Sequence, residues 1–150
     1  MTSIREFMAD DHRHCDDVFA EVEQAVARGD WSTAAERFAA FRQATMQHFA
    51  VEESLLFPAF EGKTGMRMGP TQVMRMEHVQ MRELMDAARD ALAAGNGDDY
   101  TGHAETLLIM MQQHNMKEEN VLYPMCDQHL AEESADLLPQ LQEGLQEGRA

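Results

Sequence analysis

Histidine and glutamate stand four residues apart twice in this chain. His48 and Glu52 do so in HFAVEESLLFP (48–58), and His114 and Glu118 in HNMKEENVLYP (114–124). Four residues of α-helix turn through about 400°, a net rotation of about 40° with about 6 Å of rise, so each pair shares a face. Imidazole nitrogen and carboxylate oxygen are both good ligands for first-row metal ions. Left unpartnered in a core, two histidines and two carboxylates cost on the order of several kcal/mol, and a bound cation removes that cost. One such pair is ordinarily a surface hydrogen bond. Two pairs in register are a different matter.

The register is 66 residues (114 − 48). It also relates Glu52 to Glu118, Glu53 to Glu119, Leu56 to Leu122, Phe57 to Tyr123, Pro58 to Pro124, Asp11 to Glu77, His12 to His78 and Gly29 to Gly95, without a gap. His12 and His78 each precede their H-x-x-x-E motif by 36 residues (48 − 12 and 114 − 78). The expected site is therefore His12, His48, Glu52, His78, His114 and Glu118, with one histidine from each of four helices. Two equivalent halves imply two metal ions, each taking imidazoles from two helices, with the glutamates bridging. Glu53 and Glu119 turn about 100° away from that face and are expected to support the ligands or to be solvated. His14, His103 and His129 have no partner at the repeat offset and are expected at the surface. Met8, Met74, Met110 and Met111 lie one helical turn from the proposed histidines and are expected as core filler.

Each half must supply a helical hairpin to present these groups. Ser3 and Glu6 have capping-box spacing, and Ile4, Phe7, Met8, Val18, Phe19, Val22 and Val26 follow with a near-helical period. Gly29 suits the end of that helix. Thr33 and Glu36 repeat the capping-box spacing for a second helix. EGKTGMRMGP (61–70) reads as a loop, and Pro70 suits the first turn of a third helix, expected to run to about Ala94. The fourth is expected from about Tyr100 to His129. Pro58 and Pro124 remove an amide late in helices two and four, so a bend or an end is expected at each. The expected fold is all-α: an antiparallel up-down-up-down four-helix bundle. It spans residues 1–130 as two pseudo-repeats (about 3–61 and 70–129). An acidic helical tail follows over 131–150, broken near Pro139.

Twelve basic against 27 acidic residues give a net charge of −15. That argues against nucleic acid and anionic membrane surfaces, which attract basic patches. No stretch approaches the roughly 18 apolar residues that span a bilayer. MTSIREFMADDHRH has no apolar run of the kind a signal peptide carries, so a cytoplasmic location is expected. Cys15 and Cys126 are too few for a disulfide framework and are expected to be small buried hydrophobes.

The arrangement H … H-x-x-x-E … H … H-x-x-x-E, followed by EESLLFP and EENVLYP, resembles the hemerythrin-like (HHE cation-binding) domain over residues 3 to about 130. That resemblance implies a non-haem di-iron centre of two oxo- or hydroxo-bridged iron ions. His12, His48, His78 and His114 match the family's iron-binding histidines, and Glu52 and Glu118 its bridging carboxylates. Members carry or sense oxygen, handle nitric oxide, or help repair iron–sulfur clusters.

The chain departs from the oxygen carriers in having Arg82, not histidine, four residues after His78. It also has Glu118 where they place an aspartate one position later. Six ligands rather than seven leave a coordination position for water or a small ligand. The implied function is a metal-binding protein that binds or senses a diatomic ligand (oxygen or nitric oxide) rather than a dedicated enzyme. The alternatives are a stress-defence enzyme turning over peroxide or nitric oxide, and iron storage or donation. Zinc or manganese would suit the same donors. A homodimer is left open. Arg82 and Asp16, related by the repeat, are expected as exposed or snorkelling side chains; the alternatives are a pair beside the metals, or Asp16 as a seventh ligand.

Overall fold

The computed structural model describes residues 2–149, and no strand occurs among them. Helix α1 (Ile4–Ala27) opens on Ser3, whose hydroxyl accepts from the Glu6 amide. It ends at Gly29, in the left-handed region at φ 72°. Helix α2 (Trp31–Val51) is capped by Asp30, which accepts from the Thr33 amide, so it starts two residues before the expected Thr33 cap. The second half repeats this punctuation 66 residues on. Helix α4 (Pro70–Ala93) ends before Gly95 at φ 70°. Helix α5 (Gly97–Lys117) is capped by Asn96, which accepts from the Asp99 amide, and so starts three residues before Tyr100. An Asx side chain just after the glycine supplies both caps and outcompetes the later threonine or tyrosine as a starting point.

The prolines neither end nor break their helices. Helix α2 passes through a single π-helical turn, Glu52–Leu56, into α3 (Phe57–Thr64). Helix α5 passes through Glu118–Leu122 into α6 (Tyr123–His129). In both, the amide just before the proline reaches back five residues, Phe57 to Glu52 and Tyr123 to Glu118. A widened turn of this kind absorbs a ring that would clash with a regular helix. Glu52 and Glu118 are the first residues of these turns. The two pairs of successive acids, Glu52–Glu53 and Glu118–Glu119, thus sit where the helix is widest.

Helices α1 and α2 pack along each other, as do α4 and α5, and α2 meets α4 to complete a helical bundle. The apolar interior falls into two clusters. One contains Phe19, Phe38, Phe41, Phe49, Met81, Met85, Leu107 and Met111. The other contains Ile4, Met8, Leu56, Phe57, Phe60, Met74, Leu122, Tyr123 and Cys126. Along α1 the boundary between them falls at His12, along α4 at His78, along α2 near His48, and along α5 beyond His114. A polar layer therefore separates two apolar plugs.

Helix α7 (Ser134–Glu147) covers the second cluster with Leu137, Leu141 and Leu145. It runs unbroken through Pro139, which lies inside the helix and forgoes the bond to the Ala135 carbonyl. Two glycines let it approach α2 closely. A Cβ on Gly144 would lie 2.6 Å from Val51, and one on Gly148 would lie 2.5 Å from Gln47.

Candidate metal centre

All six expected site residues meet in the layer between the plugs. His12, His48, Glu52, His78, His114 and Glu118 are each no more than 5 % exposed. Their inward atoms fall into two groups that share Glu118. The first is Glu52, His78, His114 and Glu118, and the second is His12, His48 and Glu118. In the first, His78 Nε2 lies 3.2 Å from Glu52 Oε1, and His114 Nε2 lies 3.2 Å from Glu118 Oε1. In the second, His12 Nε2 lies 3.1 Å from Glu118 Oε1. Each group takes both histidines of one half and at least one glutamate of the other, so neither repeat can assemble it alone.

The outward nitrogen of every histidine is held by a further carboxylate. His12 Nδ1 pairs with Glu119 Oε2 at 2.7 Å, His78 Nδ1 with Glu53 Oε2 at 2.6 Å, His48 Nδ1 with Asp11 Oδ2 at 2.7 Å, and His114 Nδ1 with Glu77 Oε1 at 2.8 Å. These partners are themselves related by 66 residues, Asp11 to Glu77 and Glu53 to Glu119. The rotation that carries Glu53 and Glu119 off the ligand face carries them to the neighbouring helix's histidine. With Nδ1–H donated to a carboxylate, Nε2 offers its lone pair to the interior, the arrangement in which a histidine binds metal well.

A cation stands behind three of these carboxylates. Arg82 donates to Glu53 Oε1 at 3.0 Å, Arg149 to Asp11 Oδ1 at 2.8 Å, and Lys117 to Glu77. Arg82 also lies over the Phe49 ring, 5.4 Å from its centre. Phe49 stacks on His78 with ring centres 3.9 Å apart. The alternative Arg82–Asp16 pair therefore does not form. Asp16 is exposed and belongs to neither converging group of ligand atoms. The glutamate on the π-helical turn reaches Arg82 first.

Tyr123 breaks the pseudo-symmetry. Its hydroxyl donates to Glu52 Oε2 at 2.7 Å and lies 3.0 Å from Glu118 Oε1, 3.2 Å from His48 Nε2 and 3.3 Å from His12 Nε2. Its repeat partner Phe57 has no hydroxyl; it stacks against His78 and carries the Arg75 guanidinium over its ring.

The protonation balance follows from this crowding of charge. Burial opposes an imidazolium at each of the four histidines, but the carboxylates outweigh it and raise all four pKa values. His48 rises well above the usual range through Glu52 and Asp11, and His114 to about 9 through Glu118 and Glu52. Burial likewise opposes charge on Glu52, yet His48 and His78 hold its carboxyl well below the normal range. Burial and the two glutamates push the Tyr123 phenol well up.

Four buried atoms nevertheless have no hydrogen-bond partner among the described residues of the layer: Glu52 Oε1, His78 Nε2, His114 Nε2 and Glu118 Oε2. The two imidazole nitrogens lie within ion-pair distance of glutamate oxygens but are not aligned for a hydrogen bond. Buried polar atoms are rarely left this way without a reason. A cation bound among them satisfies all four at once, and mixed imidazole and carboxylate donors suit a divalent first-row metal. The residues therefore fit such an ion.

The remaining expectations resolve simply. Cys15 and Cys126 are buried free thiols, and burial pushes Cys15 up to about 11. His14, His103 and His129 are partly exposed and lie outside the cluster. Met8, Met74 and Met111 belong to the apolar plugs. No helix among the described residues is long and apolar enough to cross a membrane. The roles of Asp11, Glu77 and Tyr123 escape the sequence reading. An acid directly before His12 and before His78 at the repeat offset is the signal that could have found the first two.

No curated protein and no solved structure matches the chain. The model of the hemerythrin HHE cation-binding domain matches residues 3–126, most of its length. The chain belongs to the hemerythrin HHE cation-binding domain family.

Proposed function

We propose that this protein binds two iron ions in the layer between its apolar plugs and uses them to bind or sense a diatomic ligand, oxygen or nitric oxide. His78, His114 and Glu52 would hold one ion, His12 and His48 the other, and Glu118 is placed to serve both. When bound, such a metal pair supplies redox change and coordination positions open to a small ligand. The observation that carries the reading is the set of buried nitrogen and oxygen atoms without partners, facing one another across the layer.

The chain's own residues do the rest. Asp11, Glu53, Glu77 and Glu119 fix the histidine rings and keep the inward nitrogens free for metal. The two apolar clusters exclude bulk water from the layer. Six protein ligands for two ions leave positions unfilled by protein. The same reading takes residues 1–130 as an up-down-up-down bundle of four rods and 131–150 as a tail packed on it.

Reconstitution with ferrous iron under anaerobic conditions, followed by oxygen, nitric oxide or peroxide in separate samples, tests it. The expected result is a change in the visible spectrum with oxygen or nitric oxide that reverses when the gas is removed. Iron that binds but responds to neither gas would overturn the reading. Rapid turnover of peroxide would identify an enzyme instead.

A further inference from the structure

Given the metal-binding reading above, we propose that Tyr123 is itself a metal ligand, its phenolic oxygen binding the ion held by His12, His48 and Glu118, so that the two metal positions are chemically unequal.

The hydroxyl of Tyr123 is surrounded by four polar atoms, two carboxylate oxygens and two imidazole nitrogens, at 2.7 to 3.3 Å. A phenol has one proton to donate. It goes to Glu52, at the shortest distance, and leaves the contact with Glu118 without one. His12 and His48 hold their Nδ1 atoms on Glu119 and Asp11, so their Nε2 atoms face the same oxygen. Two carboxylate oxygens and two imidazole nitrogens thus crowd around a single phenolic oxygen.

A cation there replaces that crowding with bonds. Donor atoms about 2.1 Å from one cation lie about 3 Å apart when set at right angles. The separations among His12 Nε2, Glu118 Oε1 and the phenolic oxygen are 3.1, 3.0 and 3.3 Å. The proton displaced from the phenol leaves to bulk water.

The other position has no such group. Phe57 occupies the equivalent place and gives His78 a stacked ring only. Its two imidazole nitrogens are the ones without hydrogen-bond partners. One ion would thus be bound by imidazole and carboxylate alone, and its neighbour by imidazole, carboxylate and phenolate.

The test loads excess iron onto metal-stripped wild-type protein, Tyr123→Phe and Tyr100→Phe, oxidises it to the ferric state, and counts bound iron. Visible absorption and resonance Raman spectra are then recorded. Tyr100 is the chain's other tyrosine, hydrogen-bonded to Glu23 far along the bundle, and serves as the control. The expected result is a phenolate-to-iron charge-transfer band with phenolate ring modes in wild type and Tyr100→Phe. Both are lost in Tyr123→Phe, which keeps at least one iron per chain. Wild type holding two irons without the phenolate signature overturns the proposal, and so does a signature that survives in Tyr123→Phe. Because the wild-type spectrum alone decides the first outcome, a Tyr123→Phe chain that misfolds does not blunt the test. Wild type that takes up no iron at all overturns the metal-binding reading as well, and the iron count tells the two failures apart.

Discussion

Stripped of metal, this protein should be most stable in mildly acidic solution and lose stability as the pH rises toward 9. All four layer histidines have pKa values raised in the folded state. A raised pKa means that the fold binds the proton more tightly than the unfolded chain does. The resulting stability is fully present below the unfolded value near 6.5 and disappears as the pH climbs through the folded value. For His114 alone, a rise from 6.5 to about 9 is worth on the order of 3 kcal/mol. In a chain of this length about 1 kcal/mol moves the melting temperature by about 2–4 °C, so the loss should be on the order of 10 °C. The carboxylates set the acid side. Glu52, Glu53, Glu77, Glu119 and Asp11 are all depressed. Their contribution is present above the ordinary carboxylate range and is lost as the pH falls through it. Thermal unfolding of chelator-treated protein from pH 4 to pH 9.5, followed by circular dichroism, measures the curve. A melting temperature that stays flat or rises between pH 6.5 and pH 9 would refute the reasoning.

Further expectations follow from the same geometry. Metal and protons compete for the same nitrogens, so metal uptake should release protons and weaken progressively as the pH falls below about 9, the value to which His114 is raised; titration calorimetry in buffers of different ionisation enthalpy measures both. Glu53→Gln and Glu119→Gln each remove the carboxylate that orients one histidine. Each should weaken metal binding about 10- to 100-fold in a chelator-competition titration, with unchanged affinity in both counting against the relay. Asp11→Ala should cost about 2 kcal/mol in denaturant unfolding, because it strips a buried charged hydrogen bond from His48. Arg149→Ala removes a half-exposed guanidinium from the buried Asp11 carboxylate, which keeps its bond to His48, and should cost about 1 kcal/mol. Gly144→Leu would drive a side chain into Val51 and should destabilise the chain by about 1–3 kcal/mol, or release α7 to proteolysis.

The 66-residue register made much of the layer legible, because a duplicated ligand pattern constrains which faces must meet. The helices that carry the six residues could be placed, though not all of their starts, from apolar spacing, the turn glycines and Pro70. The starts of α2 and α5 were misjudged because Asp30 and Asn96, one residue past a left-handed glycine, look like turn residues until their side chains are seen accepting from the helix. The π-helical turns before Pro58 and Pro124 were not legible. A proline announces a disturbed helix, but whether the chain bends, stops or widens depends on what packs around it. Those turns also decide where Glu53 and Glu119 point. The partnering of Arg82 with Glu53 rather than Asp16 follows from that local widening and could not be reached by counting at regular helical spacing. Tyr123 was hidden by its likeness to Phe57. The repeat that located the six buried histidines and glutamates also suggested that the two aromatics do the same job, and only the hydroxyl's position between Glu52 and Glu118 distinguishes them.

Metal content after reconstitution bears most directly on the central claim. Ferrous iron should load to two ions per chain in the wild type, and a Glu52→Ala, Glu118→Ala double variant that still folds should retain essentially none. A wild-type chain that binds no iron, or a double variant that binds as much as the wild type, would contradict the assignment of this buried layer as a metal centre.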